Sequence, residues 1–105
     1  MKLSFKKHPR ETGLRSVGNP NADVSIKADG SFVGLIDAPN WQTEDGKYRV
    51  KFTISDDKGA GWKWAVAKAR FDNEDAAREW VKTKWEVLCK TWNLHPVPDY
   101  KPWEN

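Results

Sequence analysis

Residues 61–80 read GWKWAVAKARFDNEDAAREW, and the fold turns on how this stretch is read. Its first half alternates. Trp62, Trp64, Val66, Lys68 and Arg70 fall on one parity, and Lys63, Ala65, Ala67, Ala69 and Phe71 on the other. Such period-two patterning predicts a strand. After Phe71 the pattern becomes a helix start. Asn73 is the expected N-cap, since its side-chain oxygen can accept from free first-turn amides; Asp72 is the alternative one residue earlier. Glu74 and Asp75 then sit where carboxylates meet the positive end of a helix dipole. From 74 to 92, Ala77, Val81, Trp85, Leu88 and Trp92 fall within an arc of about 80° at helical spacing. Trp80 and Val87 widen this stripe on one side and Cys89 on the other. Asp75, Glu79, Lys82, Glu86 and Lys90 take the opposite face, with Glu86 and Lys90 in the favourable i,i+4 order. Asn93-Leu94-His95-Pro96 ends the helix, because proline disfavours helical geometry in the residue before it.

Working outward, KYRVKFTIS (47–55) is the cleanest strand. Tyr48, Val50, Phe52 and Ile54 form one row, and Arg49, Lys51, Thr53 and Ser55 the other. Strict alternation predicts a half-buried antiparallel strand. DDKGAG (56–61) is its turn to the next strand. Upstream, DVSIKA (23–28) and SFVGLI (31–36) flank Asp29-Gly30, a strong hairpin signal. Gly34 inside the return strand implies a bulge or a close backbone approach. Asp37 to Gly46 is a long connection holding Trp41, which either caps the core or contacts a partner. Residues 1–22 read as an irregular entry rich in turn chemistry. The last ten residues, PVPDYKPWEN, are expected to be extended. Either they pack back through Tyr100 and Trp103 or a partner captures them. The fold class is therefore α+β: an antiparallel sheet of three or four strands with one long C-terminal helix packed on one face. The organisation is a single domain, with a basic irregular arm (1–22), a folded core (23–92) and a Pro-rich tail (93–105).

The helix decides which face of the sheet is inside. It carries Trp80, Trp85 and Trp92, and Ala65, Ala67 and Ala69 provide the matching shallow surface. On that reading Tyr48, Val50, Phe52, Ile54 and Phe71 also face the helix. The outer face then carries Arg49, Lys51, Lys68 and Arg70 around Trp62 and Trp64, with Val66 among them. Cations interleaved with aromatics on a strand surface are the composition of a nucleic-acid platform. The alternative is that residues 1–22 or the Pro-rich tail cover the two tryptophans.

Catalytic signatures are thin. His8 and His95 both lie beside proline in irregular segments, and Cys89 lies at the edge of the apolar stripe as a small hydrophobe. No HExxH, CxxC, Walker loop or nucleophile elbow occurs. Gly59-Ala60-Gly61 precedes a strand and cannot present helix amides to a phosphate. Glu44, Asp45, Asp56 and Asp57 are adjacent pairs in turns and read as solvated. The expectation is a non-enzyme with no cofactor, no metal and no small-molecule substrate.

Charge is uneven. Of 18 basic and 15 acidic residues, the first 15 positions hold five basic groups and one acid, leaving 13 basic and 14 acidic groups for the rest. The body is nearly neutral, and the excess is a basic arm that either adds phosphate contacts or is solvated. One cysteine excludes an internal disulfide and suits a reducing compartment. With no apolar run of membrane-spanning length and no signal-peptide h-region, a cytoplasmic protein without membrane contact is the expectation.

Phe71-Asp72-Asn73-Glu74-Asp75-Ala76-Ala77-Arg78-Glu79-Trp80, after two strands and a glycine turn, resembles the arm-site DNA-binding domains of phage-type tyrosine recombinases. Phe71, Asn73, Ala77 and Trp80 match in order, and the resemblance covers about residues 46–92. Plant ethylene-response-factor-type domains look similar, with their alanine pair one residue further on. Both families read duplex DNA with the sheet, so the resemblance implies that Arg49, Lys51, Trp62, Trp64, Lys68 and Arg70 are contacts. The chain is also similar in general look to small phage or prophage accessory proteins, which bind DNA or inhibit a host protein. The leading expectation is nucleic-acid binding to duplex DNA through the outer sheet face. The alternative is a protein-interaction module that inhibits a host factor through the Trp62 and Trp64 patch.

Overall fold

The computed structural model describes residues 1–8, 22–39, 45–56, 61–98 and 100. Trp41, Glu44, Asp57 and Trp103 lie outside the described residues. The elements are β1 (Leu3–Lys7), β2 (Val24–Ala28), β3 (Ser31–Asp37), β4 (Tyr48–Ser55), β5 (Trp62–Phe71) and α1 (Glu74–Thr91). The strands form one antiparallel sheet in the order β1-β2-β3-β4-β5. The class is α+β as the patterning predicts, with five strands where three or four are expected.

The β2–β3 hairpin is closed by Asp29 (φ 50°) and Gly30 (φ 84°). Two consecutive left-handed residues make the turn whose twist matches a two-residue hairpin, which explains the Asp-Gly pair. The register shifts between Ile26 and Lys27, which pair with Gly34 and Phe32, so Val33 of β3 is the extra residue of a bulge. Gly34 is also a close approach. A Cβ there would stand 2.6 Å from the Lys51 carbonyl oxygen and 2.8 Å from Cδ1 of Phe52.

α1 starts where the junction predicts. Asn73 is extended, and its side chain accepts from the Ala76 amide at 2.8 Å. Ala77, Val81, Trp85 and Leu88 are buried against the sheet. Trp80, Cys89 and Trp92 pack at the margins of the same cluster. Val87 does not widen the stripe. It is 56% exposed, because it lies beyond the arc that reaches the sheet. The helix covers Val24, Ile26 and Ala28 of β2, Val33 and Ile36 of β3, Val50 and Phe52 of β4 and Ala67 of β5. Ala65 stands opposite Phe52 and Phe71 opposite Tyr48, so the alanine parity of β5 faces the helix. Close packing under a helix rich in tryptophan selects those small residues.

Two expectations about the chain ends need correction. Residues 1–22 are not irregular throughout. Leu3 to Lys7 pair antiparallel with Ala28 to Val24, and Leu3 and Phe5 pack on the core. The ends of this strand are tied down: Trp85 Nε1 donates to the Met1 carbonyl at 2.8 Å, and Lys7 lies 3.2 Å from Glu74 of α1. The folded core also extends beyond residue 92. Asn93 turns the chain with φ 47°, and Leu94 bridges to Ile54 and Val97 to Phe32. Past the Gly34–Phe52 pair, β3 and β4 no longer bond to each other, and the segment after α1 occupies the gap. His95 N–H donates to the Thr53 carbonyl at 2.9 Å on one side, and Val97 N–H to the Phe32 carbonyl at 2.8 Å on the other. Among the described residues no helix is long and apolar enough to cross a membrane.

Candidate nucleic-acid interface

The face turned away from α1 is set by register. Ser55 stands opposite Trp62, Thr53 opposite Trp64, Lys51 opposite Val66 and Arg49 opposite Arg70. Arg49 and Lys51 from β4 and Trp62, Trp64 and Arg70 from β5 therefore share this face, and Lys68 lies between Val66 and Arg70 on the same parity, within the register shift.

The two tryptophans are not open platforms. Trp62 and Trp64 meet edge to face at 5.4 Å. Phe32 of β3 packs on Trp64 at 6.0 Å, and Tyr100 packs on both Phe32 (4.8 Å) and Trp62 (5.9 Å). The four rings close into a loop in which each touches two others. Edge-to-face contact suits the ring quadrupoles, so the cluster holds itself together. Tyr100 arrives here because its segment passes between β3 and β4. Both tryptophans end up half-buried, and part of their cover is the chain's own tail. Lys51 completes the patch with its ammonium 4.6 Å from the Trp64 ring, a cation–π contact.

The remaining cations divide. Lys68 is exposed and has no side-chain partner among the described residues. Arg70 is folded back. From Lys51 to Arg49 two steps along β4 span four along β5, from Val66 to Arg70. This bulge crowds carbonyls on one side, and Arg70 NH1 reaches those of Ala67, Lys68 and Ala69 at 3.2, 3.0 and 3.3 Å. Its Nε edge points toward Asp45, 4.0 Å from Oδ2. Arg49 NH2 approaches the same oxygen at 3.7 Å. Asp45 is thus not merely solvated, as its place in a turn predicts. Its Oδ1 accepts from the Lys47 amide at 3.0 Å, and that bond, ahead of the two arginines, holds its carboxyl below the usual range. Asp37, across β3 from Arg49, adds a second carboxylate to this end of the face. Val66, between the tryptophans and Lys68, is 53% exposed.

Sequence reasoning placed the six residues but missed Phe32, Tyr100 and Asp45 as members of the site. Phe32 shares its parity with Gly34 and Ile36, which pair with the helix-side residues Phe52 and Val50, and it reaches the outer face only because the extra residue Val33 reverses the alternation, so periodicity could not place it. Tyr100 reaches the face through a chain crossing and Asp45 from the turn before β4, and neither leaves a periodic trace.

The other candidate groups lie elsewhere. His8 is buried behind β2, with Nε2 2.7 Å from Ser25 Oγ, and burial together with Lys6 lowers its pKa to about 4. Burial pushes the Cys89 thiol up, away from the range of a reactive thiolate. Among the described residues, no three His, Cys, Asp or Glu side chains group as metal ligands would. No known protein family, characterised protein or solved structure matches this chain.

Proposed function

We propose that this chain is a non-enzymatic protein that binds duplex DNA through the outer face of β4 and β5. The observation that carries this reading is the gathering of Arg49, Lys51, Lys68 and Arg70 on adjacent strands, on the face opposite the helix. Like charges standing opposite each other, as Arg49 and Arg70 do, cost stability in a sheet. A polyanionic partner is one reason to keep them there. The resemblance of residues 71–80 to recombinase arm-site domains supports the same reading, because those domains present the sheet to DNA. Trp62 and Trp64 stiffen the face, since their rings are engaged with each other, Phe32 and Tyr100. The contacts are accordingly to phosphates, which position a protein on DNA without reading sequence. The proposed setting is a bacterial or phage-infected cytoplasm.

A mobility-shift titration with a short duplex at two salt concentrations tests this. Affinity should fall steeply with salt, by about 0.9 log units per log unit of salt for each phosphate contact. Lys51→Ala and Lys68→Ala should each lower that slope by about one. If neither duplex nor single-stranded DNA is retarded at low salt, the reading fails.

One observation favours a second reading. Val66 is an exposed apolar side chain on an edge strand, beside the aromatic cluster. A protein partner, such as a host factor inhibited by this chain, would use that patch. Its binding would depend weakly on salt and be lost at Val66, Trp62 or Trp64 rather than at the lysines.

A further inference from the structure

Arg49, Arg70 and Asp45 form an arrangement that a simple ion pair does not explain. Charge-assisted N–H to carboxylate bonds close to about 2.7–2.9 Å. Both arginines stop well short of that, at 3.7 and 4.0 Å from the same Asp45 oxygen. Two of the three partners are held elsewhere. Arg70 is anchored by NH1 on three backbone carbonyls, and Asp45 by Oδ1 on the Lys47 amide. Arg49 and Arg70 are also fixed directly opposite each other by the sheet register. The anchored Arg70 guanidinium and the Arg49 guanidinium on the facing strand therefore bracket a gap that one carboxylate oxygen underfills. A phosphate presents several oxygens on one tetrahedral centre, so separate oxygens can close on each edge.

We infer that Arg49 and Arg70 form a phosphate-group site on this face, and that the Asp45 carboxylate is its built-in competitor. The inference rests on the nucleic-acid reading for the source of the phosphate, a DNA backbone. The site would be preorganised, since the carbonyl cup under Arg70 has already fixed one guanidinium before any ligand arrives. It would also be restrained: Asp45 neutralises part of the field and must be displaced or approached as a like charge. Asp45 then sets how tightly the face holds nucleic acid, with Asp37 adding a smaller effect from β3.

The test compares the wild-type chain, Asp45→Asn, and Asp45→Asn combined with Arg49→Gln. Asparagine keeps the acceptor for the Lys47 amide and removes the charge. Binding of a short duplex at low salt should tighten about fivefold in Asp45→Asn, the scale of one unit charge at roughly 4 Å in bulk water. The gain should vanish in the double variant. In parallel, inorganic phosphate should shift the Nε–H signals of Arg49 and Arg70 in an NMR titration, more strongly in Asp45→Asn than in the wild type. Duplex binding that is equal in wild type and Asp45→Asn overturns the inference and leaves the nucleic-acid reading standing. Tighter duplex binding without any response to inorganic phosphate also overturns it, because the gain is then long-range electrostatics. Phosphate-induced shifts without duplex binding by either protein keep the site but remove DNA as its source. Neither response removes both.

Discussion

His8 shows what one side chain contributes at the residue scale. Its backbone amide donates to the Asp23 carbonyl at 2.9 Å, and its ring reaches Ser25, so it fastens the end of β1 to the start of β2. The ring sits where a positive charge is disfavoured, by burial first and by Lys6 second, and its pKa falls from 6.5 to about 4. The unfolded chain thus binds a proton between these values and the folded chain does not. By linkage, the neutral ring's contribution is fully present above the unfolded value, declines as pH falls from 6.5, and is gone near 4. The slope from this one group is at most about 1.4 kcal/mol per pH unit, less where water reaches the ring. His8→Gln keeps a hydrogen-bonding group without the titration. Denaturant unfolding at several pH values should show wild-type stability dropping more steeply than the variant's between those two limits. Carboxylates that titrate in the same window affect both proteins and cancel in the difference. Parallel profiles would rule the assignment out.

At the scale of elements, β3 depends on one missing side chain. Gly34 lies under the Phe52 ring and against the Lys51 carbonyl, in a backbone conformation that any residue can adopt. The constraint is therefore space and not dihedral strain. Neither neighbour yields easily, since one is backbone of the adjacent strand and the other a fully buried ring. Gly34→Ala should cost roughly 1–3 kcal/mol, the usual penalty for overpacking, seen as a lower denaturant midpoint at unchanged slope. A neutral result would mean that β3 and β4 separate freely here. Gly34 was legible in the sequence as an irregularity, and so were β4, β5 and α1, because each carries a long, uninterrupted period. β1 was not. Leu3 and Phe5 make only one and a half alternations among lysines, and their partner strand lies some twenty residues on, so local pattern could not find the pairing. The outer face was legible for the same reason as the strands: parity survives the β4–β5 bulge because two extra residues leave it unchanged. What Arg70 does on that face was not legible, since the carbonyls it caps converge only where the bulge bends the strand.

At the scale of the whole molecule, the segment after α1 passes from one side of the sheet to the other. Trp92 packs on Phe52 on the helix side at 5.4 Å, and Tyr100 packs on Phe32 and Trp62 on the outer side. Between them, Ser55, Thr53 and Phe32 find in this segment the backbone partners that β3 and β4 do not give each other. Buried backbone groups left without partners are costly, so the sheet is complete only with residues 93–97 in place. Thr53 links the three chains. Its hydroxyl is fully buried, and its single proton is shared between the His95 carbonyl at 2.7 Å and the Val33 carbonyl at 3.2 Å. Thr53→Val preserves shape and removes that donor, leaving two carbonyls short at a cost of about 1–3 kcal/mol. The loss should be felt first where the segment enters the gap. Hydrogen exchange reads this directly: in the wild type the amides of His95 and Val97 should be protected like those of the central strands. In Thr53→Val they should exchange about ten- to a hundredfold faster. The amides pairing β1 with β2 lie at one edge of the sheet, away from this gap, and should change less. If His95 and Val97 exchange as fast as an unstructured chain in the wild type, the segment is not part of the cooperative fold. The cover it places over Trp62 would then be one that a partner removes at little cost, and the protein-docking reading would gain over the DNA one.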